Sequence, residues 1–270
     1  MTDGGKIVLL GIALSACTVW YEAPTSSSRV ITLHPVDPAK ADGATVVQLL
    51  AEVPSRASGE VTFETSDGVL NFATSESSNA RLVTVSDPPR GELGETKLVS
   101  TPMRVGRTPG LVLLKASLAG FSSQANLFLD ESPPTDIVAE SNASLLELNG
   151  TSRTTITIHL LREAGEHASL GTNLLLEVCC ATASGQIAVC PFREPLRVPR
   201  ILTLTEGDSV AFDAVTEPLT SAEIGSTSAF DGFVLVHLAP DPTEQCMAPS
   251  KPSEGTQLRL RLAPHVAASP

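Results

Sequence analysis

Residues 61–68 read Val-Thr-Phe-Glu-Thr-Ser-Asp-Gly, and this stretch contains the pattern that decides the fold. Its first five residues alternate between larger apolar and polar side chains, so an extended strand would have one face suited to burial. Its last three residues, Ser66, Asp67 and Gly68, are typical of a tight turn. The stretch therefore predicts a half-buried β-strand followed by a reversal of the chain.

The same period of two recurs on both sides of this stretch. Apolar residues alternate with polar ones in 112–118, 125–129, 156–160 and 258–262, and residues 233–236 form a continuous apolar run typical of a central strand. No window of a dozen residues has a clean helical period of 3.6. Many short strands separated by Gly, Pro, Asp and Ser indicate β-sandwiches, and we predict an all-β fold.

A proline-containing break at residues 130–135 divides the chain. Pro133 and Pro134 have no amide hydrogen to donate to a β-ladder, and they stiffen the backbone. We predict two sandwich domains, 29–131 and 136–265, each long enough to bury a core of its own.

The two halves also resemble each other. Residues 42–45, Asp-Gly-Ala-Thr, precede a predicted strand in the first half, and residues 149–152, Asn-Gly-Thr-Ser, precede one in the second. A predicted hairpin follows in each half, and a strand suited to central pairing comes later, at 111–118 and 233–238. This order predicts a tandem duplication.

The first half resembles bacterial Ig-like domains of the invasin and intimin type. The resemblance is carried by residues 41–45, 61–70 and 112–120, together with Gly91, Thr96, Leu98 and Ser100. It covers 35–130 well and 137–262 loosely, and it implies tandem Ig-like sandwiches of a cell-surface protein. Because we find no pattern of an outer-membrane barrel or a terminal lectin-like domain, the receptor-binding role of those proteins is not transferred to residues of this chain.

The first 28 residues suggest export and lipidation. The apolar run 7–14 would span only about 12 Å as a helix, less than half of a bilayer core of about 30 Å. Residues 14–17, Leu-Ser-Ala-Cys, resemble the lipobox of bacterial lipoproteins. This resemblance implies a signal peptide at 1–16, a lipid on Cys17 and a polar tether at 17–28. The alternative is a buried N-terminal strand that ends in an ordinary cysteine.

Thr18 follows the cysteine where some lipoproteins have aspartate. By resemblance to lipoproteins of the enterobacterial type, a residue other than aspartate at this position implies release to the outer membrane. We therefore expect a cell-envelope location, most simply at the outer membrane on its periplasmic or surface face.

The composition excludes some classes of partner. The formal net charge is −12, so the chain repels phosphate backbones and we expect no nucleic acid as a partner. Aromatic residues make up 4% of the chain, which disfavours a stacking platform for bases or sugars.

Four cysteines remain besides Cys17: Cys179, Cys180, Cys190 and Cys246. An even number in an exported domain favours disulfides, and four cysteines permit three pairings. A turn centred between residues 184 and 185 would place Cys179 opposite Cys190, within disulfide reach. We predict Cys179–Cys190 and Cys180–Cys246. A thiolate metal site is the alternative, but adjacent cysteines point to opposite faces of a strand and no C-x-x-C is present.

No pattern for catalysis stands out. The sequence has no G-x-S-x-G, H-E-x-x-H, P-loop or G-x-G-x-x-G, and we predict no enzyme activity, catalytic residue or cofactor. His159 shares a strand face with threonines and is expected to be solvated, whereas His237 ends an apolar strand and is expected in the core or at its rim. His34, His167 and His265 have no evident partner in the sequence.

Two other patterns have plain interpretations. Asp130, Glu131 and Asp136 around the linker supply hard oxygen ligands for calcium, but their spacing matches no calcium motif, so a solvated linker and no metal are predicted. Asn142 and Asn149 fit the N-glycosylation pattern and are expected to be incidental.

These observations favour a non-enzymatic, lipid-anchored envelope protein whose Ig-like domains act as spacer, adhesion or protein-interaction modules. One alternative is a carbohydrate- or polymer-binding accessory module, although Trp20 and Tyr21 lie in the tether and few aromatics remain for a sugar platform. Another is an envelope hydrolase, which a Ser/His/Asp cluster in the folded chain would favour.

Overall fold

The structure is a computed structural model that describes residues 30–57, 59–70, 82–86, 95–181, 187–193, 200–219, 230–239, 246 and 248–265. The predicted signal peptide at 1–16, Cys17, the tether at 17–28, Gly91 and the turn at 184–185 lie outside these residues. Within the described ranges the regular secondary structure is β-strand throughout, which confirms the all-β prediction.

The first sandwich contains nine strands among its described residues: β1 (Thr32–Leu33), β2 (Ala39–Lys40), β3 (Val46–Pro54), β4 (Glu60–Thr65), β5 (Val69–Leu70), β6 (Leu82–Ser86), β7 (Thr96–Arg104), β8 (Gly110–Leu118) and β9 (Phe121–Asp130). They form two sheets, with strand orders β1-β3-β7-β5 and β2-β9-β8-β4-β6.

The second sandwich also contains nine described strands: β10 (Asp136–Ser141), β11 (Leu145–Leu148), β12 (Arg153–Leu161), β13 (Asn173–Ala181), β14 (Ile187–Val189), β15 (Arg200–Thr203), β16 (Ser209–Val215), β17 (Phe230–Leu238) and β18 (Gly255–Pro264). One sheet has the order β10-β12-β16. The other has the order β11-β18-β17-β13-β14, and β15 also pairs with β13.

Each sandwich buries a separate core, because alternate side chains of facing sheets point at each other. The first core is formed by residues between Ile31 and Leu129 in the chain and includes the fully buried Phe63. The second lies between Ile137 and Leu262 and includes Phe192. Residues 131–135 lie between the two cores.

The duplication is visible in the topology. In both halves the first strand is split: β1 and β10 pair antiparallel with β3 and β12, whereas β2 and β11 pair parallel with the last strands β9 and β18. The turn before β3 and β12 is also repeated. The Asp42 carboxylate accepts the amides of Ala44 and Thr45, and the Asn149 side-chain oxygen accepts the amides two and three residues beyond it. Such Asx turns fix the start of the following strand.

The disulfide prediction was wrong. The structure pairs Cys179 with Cys246 and Cys180 with Cys190, at Cα–Cα distances of 5.8 and 5.1 Å. Cys180 lies opposite Ala188 in the β13–β14 ladder, so the register differs by one residue from the one that a turn centred between residues 184 and 185 predicts. A one-residue shift reverses which side chains share a face, and it places Cys190 on the face of Cys180.

Candidate functional site

The two sandwiches meet at a joint built from described loops of both domains, which we call the interdomain joint. The linker residue Ser132 donates its amide to Ser169 Oγ at 2.7 Å and accepts the Ser169 amide at 3.0 Å. Ser169 Oγ in turn donates to the Ala41 carbonyl at 3.0 Å. Ser132 and Ser169 are both buried, and these bonds connect the linker, the first domain and the second domain in one network.

Arg107 crosses the joint from the loop between β7 and β8. Its Nε and Nη2 donate to the Ala168 carbonyl at 3.1 and 2.6 Å, and Nη2 also donates to Asp208 Oδ1 at 2.9 Å. The Arg107 carbonyl accepts the amide of Leu170 at 2.9 Å. The planar guanidinium therefore holds two loops of the second domain from a single position in the first.

His167 completes this cluster. Its Nδ1 lies 2.8 Å from Asp208 Oδ2, so Asp208 contacts both His167 and Arg107. The His167 amide donates to the Asp42 carbonyl at 2.9 Å. A Cβ on Gly43 would approach Arg107 Cγ to 2.8 Å, which shows how closely the Asp42 turn packs against the joint.

The Asp42 carboxylate stabilises the turn that faces the joint. Burial opposes ionisation of Asp42, but hydrogen bonds from the Thr45 hydroxyl and from the amides of Thr45 and Ala44 outweigh it, and the Arg162 charge helps. Together they lower the pKa of the Asp42 carboxyl below its ordinary value of 3.8. Arg162 also pairs with Glu166 at 2.7 Å and donates to the Pro133 carbonyl of the linker.

His167, Asp208 and Ser169 together are the residue types of a hydrolytic triad, so their geometry bears on the enzyme alternative. The Ser169 hydroxyl donates to Ala41 and accepts the Ser132 amide, and the residue is 3% exposed. Its hydroxyl is thus occupied by structural bonds and is not placed as a nucleophile. The cluster connects the domains, and it supplies no positive indication of catalysis.

Two open grooves flank the joint. One, of about 400 Å³, has hydroxyl and amide groups of Thr108, Ser132, Thr172 and Asn173 in its lining. The other, of about 620 Å³, runs along the first domain beside Arg104 and Arg107. The Ser132 hydroxyl in the first groove has no hydrogen-bond partner within the described part of the chain.

The linker carboxylates do not converge on a metal site. Asp130 and Glu131 are exposed, and Asp136 begins β10. In the described ranges, no three His, Cys, Asp or Glu side chains lie close enough to one another to hold a metal ion. Asn149 stabilises a local turn, whereas the Asn142 side-chain oxygen accepts the Thr154 hydroxyl at 2.6 Å and the Thr155 amide at 3.0 Å from β12.

A second buried polar cluster lies on the outer face of β13 and β17, away from the core. Glu177 and His237 are 6% and 7% exposed, and the Glu177 carboxylate accepts the Cys246 amide at 3.1 Å. Cys246 is also bonded to Cys179, so Cys246 itself is fixed over this face. Burial lowers the pKa of His237, against an opposing effect of the Glu177 charge, and therefore favours the neutral imidazole.

The other histidines lie at the surface of the sheets. His159 is on the threonine-bearing face of β12, as its sequence position suggested, and His34 lies 3.6 Å from Glu52. His265 pairs through its amide with the Leu219 carbonyl. His167 is the histidine whose role sequence reasoning missed, since its partners Asp42 and Asp208 are remote in sequence.

The part of the chain that the structure describes contains no helix with the length and hydrophobicity needed to cross a bilayer. Cys17 lies outside that part.

Comparisons with known proteins bear on the fold. No protein-family model and no curated protein matches the chain. Among solved structures, invasin, a bacterial integrin-binding protein, aligns with a TM-score of 0.52 and 14% identity over 87% of this chain and 39% of its own. The Yersinia pseudotuberculosis adhesin InvE aligns with a TM-score of 0.47 and 11% identity, over 87% of this chain and 58% of its own. The Escherichia coli adhesin FdeC aligns with a TM-score of 0.34 and 16% identity, over 85% of this chain and 62% of its own.

The alignment with invasin confirms at the level of the fold the resemblance to invasin-type Ig-like domains. Since the identity is low, the alignment shows a shared architecture of tandem sandwiches and no more. The chain spans less than two thirds of the length of invasin and InvE.

Proposed function

We propose that the chain is a lipid-anchored protein of the bacterial cell envelope whose two Ig-like domains form a stiff arm that presents an interaction surface. The interdomain joint is the observation that carries this proposal. The likeness to invasin supports it through the fold, because that adhesin also contains Ig-like domains in tandem. The residues 14–17, Leu-Ser-Ala-Cys, support the anchor.

The contacts at the joint favour a stiff arm over two domains joined by a flexible linker. Domains joined by an unstructured linker move independently unless an interface holds them. Here Arg107, Ser169 and the Asp42 carbonyl each take part in hydrogen bonds that cross from one domain to the other. Bending would break several of these bonds at once, at a cost of about 1 kcal/mol for each ordinary bond and more for the charged ones.

The stiffness can be tested by pulsed electron–electron spin resonance on the full lipidated chain. Nitroxides attached at S100C and Q257C, both exposed sites in different domains, report the interdomain distance. We expect a narrow distance distribution that broadens in Arg107→Ala. The control is Lys115→Ala, which removes an ion pair with Glu64 at 3.2 Å inside the first domain. A broad distribution in the unaltered chain would contradict the stiff arm.

The anchor can be tested separately. Cells that express the full chain are labelled with radioactive palmitate, and we expect the label on the chain to be lost in Cys17→Ala. The matched control is Thr18→Ala, which keeps the thiol that accepts the lipid. Undiminished labelling of Cys17→Ala would remove the anchor from the proposal while leaving the stiff arm in place.

The membrane to which the arm is attached is also part of the proposal. Thr18 favours sorting to the outer membrane if the enterobacterial rule applies in the host. Membranes separated by density should then contain the chain in the outer-membrane fraction, and Thr18→Asp should shift it to the inner membrane. A chain that stays in the inner membrane without that substitution contradicts this assignment.

A glycan or other polymer is the second candidate partner, and the groove of about 400 Å³ beside the joint favours it. Thr108, Ser132 and Asn173 in its lining supply polar groups for hydrogen bonds with sugars, and the Ser132 hydroxyl has no partner within the described part of the chain. A pull-down with envelope polysaccharides should retain the chain, and Asn173→Leu should weaken retention. Failure to bind any polysaccharide fraction would leave the protein-interaction role alone.

A further inference from the structure

The outer face of the five-stranded sheet of the first domain carries a group of exposed apolar side chains. Leu111 and Phe128 are directly opposed on β8 and β9, and Leu113 lies two residues along β8 on the same side. Their exposed fractions are 58%, 52% and 56%. We call these three residues the apolar face.

This exposure is not a requirement of the fold. The corresponding strands of the second domain are β17 and β18, and the outward positions of β18 are the polar Gln257, Arg259 and Arg261. Arg259 forms an ion pair with Asp231 of β17 at 2.6 Å. On β17 the outward Leu235 is only 2% exposed, and Cys246 is held over the same face by its disulfide to Cys179. The first domain instead leaves contiguous leucine and phenylalanine exposed. Contiguous apolar surface of this kind marks an interaction site in soluble proteins.

The charges around the apolar face indicate the kind of partner. The whole chain has a formal net charge of −12, so most approaches between two copies are repulsive. Around the apolar face the charges are balanced: Lys115 pairs with Glu64 at 3.2 Å, and Lys40 lies opposite Asp130 in the β2–β9 ladder. Because each cation here lies beside an anion of its own copy, two such faces can meet without the net repulsion that the acidic remainder of the chain imposes.

We propose that the apolar face binds the same face of a second copy of this chain, forming an isologous sheet-to-sheet contact. Phe128 of one copy packs between Leu111 and Leu113 of the other, and the charge pairs of each copy stay at the border of the contact. The second copy would be the partner of the interaction surface in the proposed function. The dimer itself requires neither the lipid anchor nor the stiff joint. Those two features are measured by palmitate labelling and spin resonance, so failure of the dimer is distinguishable from failure of either.

The test is site-specific photocrosslinking of the full chain in intact cells. Two copies with different epitope tags are co-expressed, with p-benzoylphenylalanine in place of Phe128. We expect a product that contains both tags. The control places the same crosslinker at Leu98, which is 60% exposed on the other sheet of the same domain, and should give no such product.

Leu113→Asp should reduce the doubly tagged product about tenfold or more, since two carboxylates would meet in the contact. Leu98→Asp, an equally drastic change at an equally exposed leucine, should leave it unchanged. Leu111→Asp is the second variant, and circular dichroism checks that all three remain folded. The proposal is overturned by no doubly tagged product, by crosslinks to a different protein or within one chain, or by equal products from Phe128 and Leu98.

Discussion

At the scale of single residues, Gly68 closes the turn that begins at Ser66, and its lack of a side chain is a requirement of packing. Its φ is +85°, and a Cβ would lie 2.6 Å from the Arg104 carbonyl oxygen. Gly120 has the same φ of +85° but no atom within 4 Å of the corresponding position. Alanine at Gly120 would therefore meet only an unfavourable backbone conformation, whereas alanine at Gly68 would also meet a steric clash.

We expect Gly120→Ala to reduce the free energy of unfolding by about 1 kcal/mol, since alanine is disfavoured at positive φ. Gly68→Ala should cost about 1–3 kcal/mol more, because the backbone of β7 must also move. Urea denaturation of the two variants measures the difference. Equal reductions in the free energy of unfolding for the two variants would show that the backbone near Arg104 moves aside without an energetic penalty.

Asp42 is the residue whose ionisation is coupled most directly to a turn at the joint. Its lowered pKa means that the unfolded chain binds this proton more readily than the folded one. The contribution of Asp42 to stability is therefore complete above its ordinary pKa of 3.8 and is lost as the pH falls through the folded-state pKa. The second domain places Asn149 at the equivalent position, where an uncharged side-chain oxygen accepts the same kind of bonds.

Asp42→Asn should retain the turn, cost less than about 1 kcal/mol at neutral pH and make stability less dependent on pH below 4. Asp42→Ala should cost about 1–2 kcal/mol at neutral pH, because the Thr45 and Ala44 donors lose their acceptor. Denaturation at pH 7 and at pH 3 measures both effects. If the unaltered chain and Asp42→Asn lose stability in parallel with acid, the coupling is absent.

At the scale of strands, the β13–β14 ladder decides the disulfide connectivity. Disulfide stabilisation in the chain-entropy model grows with the length of the closed loop, and the sequence separations are 67 for Cys179–Cys246 and 10 for Cys180–Cys190. The longer loop should contribute about 4 kcal/mol and the shorter about 3 kcal/mol.

We expect the double variant C179A/C246A to lose more stability than C180A/C190A when both are compared with the oxidised chain. Non-reducing peptide mapping of the unaltered protein by mass spectrometry should recover the two linked pairs. Recovery of Cys179 linked to Cys190 would show that the ladder has the register assumed from sequence. A larger loss in C180A/C190A would indicate that core packing around Cys190 outweighs loop length.

At the scale of the whole molecule, the joint makes the stability of one domain depend on the other. Arg107 belongs to the first domain, but its guanidinium is hydrogen-bonded to Ala168 and Asp208 of the second. Unfolding either domain removes these bonds from its neighbour, and this couples the two transitions.

Calorimetry should therefore show a single or closely merged thermal transition in the unaltered chain and two separated transitions in Arg107→Ala. Lys115→Ala, which changes a charge of the first domain away from the joint, should keep the transition merged. Two well-separated transitions in the unaltered chain would mean that the domains are thermodynamically independent in spite of their contacts.

The sequence by itself determined the features that depend on local pattern. Alternation in residues 61–65 and in the strands after them predicted an all-β sandwich, because the side-chain period of an extended strand is two and needs no knowledge of partners. The prolines of the linker predicted the division, and the Asp42 and Asn149 turns predicted the duplication, because both act within a few residues.

Only the tertiary structure decided which cysteines pair, what His167 contacts and which leucines stay exposed. Pairing depends on strand register, and a shift of one residue in the β13–β14 ladder exchanges the partners of Cys179 and Cys180. The joint brings Arg107, His167 and Asp208 together from remote positions in the chain, with no periodic pattern to indicate it. Contacts between distant segments depend on how whole sheets pack against each other. A local pattern predicts which side chains face inward, but it does not predict which residues they contact.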